Sequence, residues 1–318
     1  MRINKLLLIC LTAFLVFSCD NDDDNTAEIT PPRDRGEVAI ENDQALLDYL
    51  STHFYNYEEF ESPSADFDYK IKFDTIAGEN VDKTPIIESD KLITKTVNNQ
   101  GVDQQLYILK VREGAGEKPK FTDSTYVTYQ GELLNEDVFD SNLKNPIWFS
   151  LVSYFGINSG GNFQPRGGAI KGFTEGLQEF GGASNFSVNS DNTVEWTNDY
   201  GIGAIFMPSG LAYFNSAPSP AIPAYAPLIF KVNTFRINEA DHDGDGIPSW
   251  MEDLDGDGEV LNDDTDGDGL PNHTDADDDG DGTPTRNEIE IDPETGEITF
   301  IDTDNDGTPD YLDPDFFQ

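Results

Sequence analysis

Cysteine, histidine and basic residues are scarce in this chain of 318 residues, and each scarcity excludes a class of function. Both cysteines, Cys10 and Cys19, lie near the N-terminus, which leaves the body of the protein without a thiol for a disulfide. Lys and Arg number 19 against 62 Asp and Glu, and the net charge of −43 disfavours nucleic acid as a partner. The three histidines (His53, His242 and His273) show neither zinc spacing nor a paired nucleophile, and we expect them to be solvated.

Long apolar runs are also rare, and the one from Leu6 to Phe17 is too short to span a bilayer comfortably. It follows the basic residues Arg2 and Lys5, as in a signal peptide. The stretch LVFSC ending at Cys19 resembles a bacterial lipobox, which implies that Cys19 becomes a lipidated N-terminus. The alternative is an ordinary signal peptide that is cut elsewhere. We expect a lipoprotein of the cell envelope, in the outer membrane, facing the periplasm or the surface, with lipid as its only membrane contact.

Differences in composition divide the chain into five segments. Residues 1–18 form the signal peptide, and residues 19–38 a polar, flexible tether. The acids at residues 20–24 resemble the export tag of some surface lipoproteins, although a plain solvated tether is equally consistent with them. Residues 39–102 form an accessory region without a recognisable motif, which could pack on the next domain or dimerise. Residues 103–238 form a folded domain, and residues 239–318 form an aspartate-rich module.

Two elements are predicted in the accessory region. Apolar residues at helical spacing predict a helix from Asp43 to Phe60, which Asn42 or Asp43 can cap. Alternating apolar and charged residues predict a half-buried strand at residues 68–76.

The segment 103–238 combines several strand signals with one short helix. Residues 104–142 read as strand, turn, strand and turn, whereas GGAIKGFTEGLQEFGG (residues 167–182) reads as a short helix between glycines. Buried strands are predicted again at residues 201–214 and 226–237. A single helix against several antiparallel strands is an α+β fold.

Four motifs in this segment occur in the order found in one known family. YVTYQGELLNEDVFDSN (residues 126–142) resembles the second strand and bulge of FK506-binding-protein-type prolyl isomerases. AIKGFTEGL (169–177) resembles the start of that family's helix, and PSGLAYF (208–214) and AIPAYAPLIFKV (221–232) resemble its tyrosine loop and last strand. The resemblance covers about 130 residues and implies a curved antiparallel sheet around one short helix. An insertion before the helix and a long hairpin at residues 184–203 depart from the family pattern.

The resemblance also implies a proline-binding pocket. By alignment, its residues are Tyr129, Phe139, Asp140, Ile147, Phe149, Ala169, Ile170, Phe173, Tyr213, Ile222 and Phe230. Tyr213 would donate its hydroxyl to a substrate carbonyl, and Asp140 would face the carbonyl next to the proline. Phe173 stands where the family usually has tryptophan. Taken singly, each aromatic residue is also consistent with ordinary core packing.

Acids recur with regular spacing after residue 240. Five twelve-residue windows carry acids at positions 1, 3 and 5, glycine at position 6 and an acid at position 12, which is the ligand spacing of a calcium loop. The predicted ligands are Asp241, Asp243, Asp245 and Glu252; Asp253, Asp255, Asp257 and Asp264; Asp264, Asp266, Asp268 and Asp275; Asp277, Asp279, Asp281 and Glu288; and Asp302, Asp304, Asp306 and Asp313. Asp264 thus serves two windows. A disordered acidic tail is the alternative.

Proline at position 8 excludes paired EF-hands, because it has no N–H to bond to a partner loop. It occupies that position in four of the five windows (Pro248, Pro271, Pro284 and Pro309). The loops therefore resemble thrombospondin type 3 repeats, which implies structural calcium and little regular structure. From Asp241 onward the chain has 28 acids and one base, Arg286, and we expect that it cannot bury a core of its own. Without cations its carboxylates should repel one another and the segment should expand.

Together these features predict a lipid-anchored prolyl isomerase that folds exported proteins and has a calcium-ordered C-terminal module. No cofactor is expected for catalysis, and the partners are proline-containing polypeptides. The alternative is a non-catalytic surface module for binding, chaperoning or adhesion.

Overall fold

The structure is a computed structural model, and it describes residues 31–157 and 163–315. Its α-helices are α1 (Arg35–Thr52), α2 (Tyr57–Glu61) and α3 (Lys171–Leu177). Its strands are β1 (His53–Tyr55), β2 (Phe73–Thr75), β3 (Leu92–Asn99), β4 (Val102–Arg112), β5 (Ser124–Leu133), β6 (Val138–Ser150), β7 (Ser153–Ile157), β8 (Phe163–Gly167), β9 (Phe186–Val188), β10 (Val194–Trp196), β11 (Gly201–Met207), β12 (Leu228–Asn238), β13 (Ile289–Ile291) and β14 (Ile298–Phe300). Strands outnumber helices in this α+β chain. In the described part of the chain, no helix has the length and apolar character needed to cross a membrane.

Six strands form one antiparallel sheet in the order β3-β4-β11-β12-β5-β6. The central strand β11 is buried along its whole length. Helix α3 packs closely on it, because Gly176 has no side chain: a Cβ there would lie 2.6 Å from Cδ1 of Ile205. The sheet and α3 enclose the larger apolar core, which includes Leu177 and Ile108.

Helix α1 covers the opposite face of the same sheet. Alternate residues of a strand point to opposite faces, and Tyr107 and Leu109 pack with Leu46 and Leu50 of α1 in a second core. The sheet is therefore covered by a helix on both faces. The side chain of Asn42 holds α1 in place, since its Oδ1 accepts a hydrogen bond from the amide of Ser209 at 2.7 Å.

The accessory region differs from its prediction in four respects. Helix α1 begins at Arg35, inside the segment predicted to be a tether, and Asp34 caps it by accepting from the amide of Glu37 at 2.9 Å. The helix ends at Thr52, and the predicted strand at 68–76 shortens to β2, which pairs with β1. The first turns of α1 carry their apolar residues in one run, Val38 to Ile40, and not at helical spacing, so the apolar spacing placed the start of the helix too late. The sheet begins with β3, before the boundary placed at residue 103, because β3 pairs with β4 along its length.

The C-terminal module consists of tight loops that alternate with single turns of 3₁₀-helix. Four such turns begin directly after the prolines at position 8: Ser249–Glu252, Asn272–Thr274, Thr285–Asn287 and Asp310–Leu312. The expectation that this segment buries no core of its own is wrong. Ile247, Ile289 and Tyr311 form a small buried cluster that the hairpin β13–β14 helps to cover.

Histidines dock the module against the β7 end of the sheet domain. Nε2 of the fully buried His273 lies 3.0 Å from the carbonyl oxygen of Ser153 and must carry the proton, since a carbonyl only accepts. The ring of His242 stacks on Tyr154 with centroids 5.0 Å apart. Even His53 stacks on Tyr49, at 3.8 Å. The prediction of a solvated or incidental histidine is therefore wrong for His273, because a single sequence does not show which rings another element will cover.

Candidate functional site

An open pocket of about 210 Å³ lies between the sheet and the start of α3. Eight of the eleven residues predicted for the proline-binding pocket line it: Tyr129, Asp140, Phe149, Ala169, Ile170, Phe173, Tyr213 and Phe230. They come from β5, β6, α3 and its N-terminal approach, the loop after β11, and β12. Residues separated by a hundred positions in the chain thus meet at one cavity.

The other three predicted residues support the pocket without lining it. Phe139 and Ile147 are partly buried against the core around α3, and Ile222 is buried within that core. The Phe139 ring packs edge-on against Phe230, with centroids 5.5 Å apart. These side chains hold the pocket walls in position from behind.

The pocket floor consists of aromatic rings in edge-to-face contact. Phe173 is only 3% exposed, and its ring centroid lies 5.1 Å from that of Phe230 and 5.4 Å from that of Phe149. Tyr129 completes the set, 5.4 Å from Phe149. Edge-to-face packing of this kind makes a stiff apolar surface. Phe173 therefore occupies the floor, where the resembling family usually has tryptophan.

Polar atoms occur at the rim of the pocket. The Tyr129 hydroxyl donates a hydrogen bond to Oδ2 of Asp140 at 2.6 Å. Burial, followed by the hydrogen bond and charge of Asp140, raises the pKa of Tyr129. Burial and the same carboxylate also raise the pKa of Tyr213. Both phenols are therefore neutral hydrogen-bond donors at physiological pH.

Two glycines shape the pocket, and only one of them belongs to a quoted motif. A Cβ at Gly131, in the motif of residues 126–142, would lie 2.5 Å from Cζ of Phe139, so glycine lets that ring pack. Gly168 lines the pocket itself with φ of +83°, a conformation that favours glycine. Sequence reasoning missed Gly168, although the Gly-Gly pair before the helix was the available signal.

The five acidic loops share one backbone geometry. In each loop the glycine at position 6 has positive φ and donates its amide to Oδ2 of the aspartate at position 1, over 2.9 to 3.2 Å. The donors are Gly246, Gly258, Gly269, Gly282 and Gly307. The spacing read from the sequence thus corresponds to five similar turns.

Carboxylate oxygens converge inside these turns. In the first four loops the acids at positions 1, 3 and 5 each offer an oxygen, and the three oxygens lie within 4.8 Å of one another. The groups are Asp241, Asp243 and Asp245; Asp253, Asp255 and Asp257; Asp264, Asp266 and Asp268; and Asp277, Asp279 and Asp281. Hard oxygen ligands in such number suit calcium.

Two glutamates at position 12 are buried without a hydrogen-bond partner. Glu252 and Glu288 are fully buried, and none of their carboxylate oxygens has a partner within the described residues. Burial and neighbouring carboxylates raise the pKa of Glu252 to about 11 and that of Glu288 to about 8. A cation in the loop would favour the charged form of both. Burial, followed by the charges of Asp268 and Asp266, likewise raises the pKa of Asp275 at position 12 of the third loop.

The second loop differs from its prediction at position 12. Asp264 uses both carboxylate oxygens inside the third loop, where they accept from the amides of Gly267 and Gly269. Asp263 faces the second loop instead: burial, followed by the charges of that loop, raises its pKa. Its Oδ1 accepts a hydrogen bond from the amide of Leu254 at 3.2 Å. Because the third loop follows the second without a spacer, two adjacent acids serve different loops: Asp263 the second and Asp264 the third. In the fifth loop, Asp313 accepts from the amide of Asp315.

Comparisons with known proteins give the following matches. A family model described as BamM C-terminal matches residues 242–300, and a search of curated proteins finds no match. Similar solved structures include a peptidyl-prolyl cis-trans isomerase from Pseudomonas syringae pv. tomato, with 19% identity over 48% of this chain and 84% of that chain and a TM-score of 0.32. FkpA from Escherichia coli shows 20% identity over 64% and 62% of the two chains, with a TM-score of 0.32. The N-terminal domain of FKBP42 from Arabidopsis thaliana shows 15% identity over 46% and 93%, with a TM-score of 0.31. Such values do not transfer an activity, so the function must be argued from the site residues.

Proposed function

We propose that the pocket catalyses the cis-trans isomerisation of peptidyl-prolyl bonds. The observation that carries this proposal is the closed set of edge-to-face rings around Phe173, with neutral phenols and one carboxylate at its rim. The pocket has the apolar, concave character of a ligand site. The four sequence motifs that resemble FK506-binding-protein-type isomerases supply most of its walls.

Isomerisation needs no nucleophile, metal or acid–base pair. Double-bond character in the C–N bond sets a barrier of roughly 18–20 kcal/mol, and an X-Pro bond equilibrates uncatalysed in tens to hundreds of seconds. Twisting the amide reduces its charge separation, so an apolar pocket favours the twisted amide over the planar one. In this mechanism Phe173 and Phe230 contact the proline ring. Tyr213 donates a hydrogen bond to a substrate carbonyl, and Asp140 faces the carbonyl next to the proline.

The test is a prolyl isomerisation assay on the purified chain with several X-Pro peptides. Exchange NMR or protease coupling measures the isomerisation rate. Rates well above those in buffer are expected, and Phe173→Ala should abolish the acceleration. A folded protein that is no faster than buffer on every peptide would rule out catalysis.

A second candidate is a non-catalytic module that holds proline-containing segments. The observation in its favour is Phe173 on the floor, a smaller ring than the tryptophan usual in the resembling family. In that case peptides bind the pocket with measurable affinity while the isomerisation rate stays at that of buffer. Calorimetry with the same peptides separates the two candidates.

For the C-terminal module we propose structural calcium binding. The buried, unpartnered oxygens of Glu252 and Glu288 support it, together with the converging oxygens of the loops. Calcium takes 6–8 oxygen ligands, and the carbonyl at position 7, for example that of Ile247, adds to the carboxylates. Affinities on the order of 10⁻⁴ to 10⁻³ M are sufficient for extracellular modules. Calorimetric titration of the chelator-treated chain tests this, and the absence of binding at millimolar calcium would contradict it.

We also retain the lipid anchor as a proposal. Cys19 lies outside the described residues, as does the acidic run that follows it. The lipobox-like stretch that ends at Cys19 supports an envelope lipoprotein whose clients are exported proteins.

A further inference from the structure

One buried carboxylate of the module has no place in the calcium-loop spacing. Asp278 stands at position 2 of the fourth window, a position that was not predicted to bind a cation. Its carboxylate lies beside the acids of the first loop: ligand oxygens of Asp245, Glu252 and Asp278 are all within 4.8 Å of one another. The three side chains are 2%, 0% and 2% exposed. The chain thus returns to the first loop more than twenty residues after leaving it.

None of the free oxygens in this group is satisfied by the protein. Both oxygens of Glu252, both of Asp278 and Oδ2 of Asp245 have no hydrogen-bond partner within the described residues. Thr285 lies beside Asp278, but its hydroxyl accepts from the backbone amide of Asp278, at 3.1 Å. Buried carboxylates without donors are strongly destabilising unless an opposite charge compensates them. Burial raises the pKa of Asp245, and the charge of Arg286, the one base of the module, partly offsets that rise.

We propose that Asp278 is a ligand of the cation held by the first loop, so that one ion joins the first and fourth loops. The proposal rests on the calcium binding proposed above for the module. With Asp278, the first site has oxygens from Asp241, Asp243, Asp245 and Glu252, and the carbonyl of Ile247, which reaches the coordination number that calcium prefers. The first ion then acts as a crosslink between distant parts of the chain.

The apolar cluster beside this site protects it from water. Ile247, at position 7 of the first loop, is fully buried next to Ile289 and Tyr311. The charges of Asp278 and Glu252 also reach the buried Tyr311 hydroxyl and contribute, after burial, to its raised pKa. An ion at this place is therefore more enclosed than an ion in the second loop, whose Asp255 and Asp257 are exposed.

The experiment compares calcium binding by the full chain and its variants, using calorimetry after chelator treatment. Asp278→Asn should weaken one site by at least about tenfold, the lower end of what the loss of a supporting group costs a metal site. The matched control Glu290→Gln removes one charge from an exposed position of the same module and should leave every site unchanged. A double-mutant cycle with Asp243→Asn locates the affected ion. If both residues bind the same ion, the two substitutions weaken the same site and their effects are not additive.

Each outcome is decisive. If the wild-type chain binds no calcium, the proposed function of the module fails, and the role of Asp278 fails with it. If calcium binds but Asp278→Asn matches Glu290→Gln, only the role of Asp278 fails. Additive losses at two different sites would assign Asp278 to another ion, and loss of all ions together would show a general folding role. Either result overturns the proposal.

Discussion

The Tyr129 hydroxyl donates a hydrogen bond to Oδ2 of Asp140 at 2.6 Å, and this contact joins the buried floor of the pocket to its exposed rim. Tyr129 is 8% exposed, whereas Asp140 lies at the surface on β6. A core position would accept phenylalanine in place of Tyr129 without loss, so the pair is most simply explained by a role in the pocket.

We predict that Asp140→Ala lowers kcat/KM for X-Pro peptides at least about tenfold, or about 1.4 kcal/mol of transition-state stabilisation. The substitution removes the carboxylate that we propose to face the substrate carbonyl, and it leaves the Tyr129 hydroxyl without its acceptor. Because Asp140 is exposed, the circular dichroism spectrum should not change, and the loss of the Tyr129 hydrogen bond should lower the free energy of unfolding by only about 1–3 kcal/mol. Asp66→Ala is the matched control, since Asp66 is an exposed aspartate remote from the pocket. Equal activities of the two variants would exclude Asp140 from the mechanism.

We predict that Phe230→Ala lowers both stability and activity. The ring is 6% exposed and contacts Phe173 and Phe139, so its removal leaves a cavity that costs roughly 3–5 kcal/mol in the free energy of unfolding. Urea denaturation measures this loss. Tyr213→Phe is the control that keeps the ring: it should lower the isomerisation rate while the denaturation midpoint stays the same. A Phe230→Ala protein of unchanged stability would contradict the packing described for the pocket floor.

We predict that calcium raises the thermal stability of the whole chain and contracts it. Each site filled at ten times its dissociation constant adds about 1.4 kcal/mol to the free energy of unfolding. Chelation leaves the carboxylates of the module to repel one another, so small-angle scattering should show a larger radius of gyration. Magnesium at the same concentration should have a weaker effect, because it gives up its water reluctantly. Identical scattering profiles with calcium and with chelator would count against an ordering role.

We predict that Cys19→Ala moves the protein from the membrane pellet to the soluble fraction after cell fractionation. Acylation of Cys19 is the proposed membrane contact, and the substitution removes its thiol. Ser18→Ala is the control, since alanine also suits the small residue that precedes the lipidated cysteine. The lipid-anchor proposal would be abandoned if the Cys19→Ala protein stayed in the pellet.

Short-range features of this protein follow from its sequence. The turns of the acidic loops depend on spacings within twelve residues, and the glycine at position 6, with its positive φ, occurs in all five. Proline at position 8 likewise marks the point where each 3₁₀ turn begins in four of the loops. Seven of the eight predicted residues that line the pocket lie in the four motifs, whose order resembles that of a known family, even though the motifs are distant in the chain.

Other features depend on elements that meet only in the folded chain. The place of α1 on the second face of the sheet depends on Asn42 and Leu46, which contact residues far along the sequence. The tertiary structure also decided that Asp263 faces the second loop and Asp264 the third. Neither is encoded by composition or by local spacing.

The sequence by itself determined the α+β class and the five acidic turns, because backbone geometry and hydrophobic alternation act over a few residues. The aromatic residues of the pocket were implied by the resemblance of four motifs to a known family. Only the tertiary structure decided that His273 is buried against Ser153 and that Asp278 lies beside the first loop. The physical reason is that a buried polar or charged group is placed by whatever element covers it. That element can lie anywhere in the chain, so its identity becomes visible only when the packing is known.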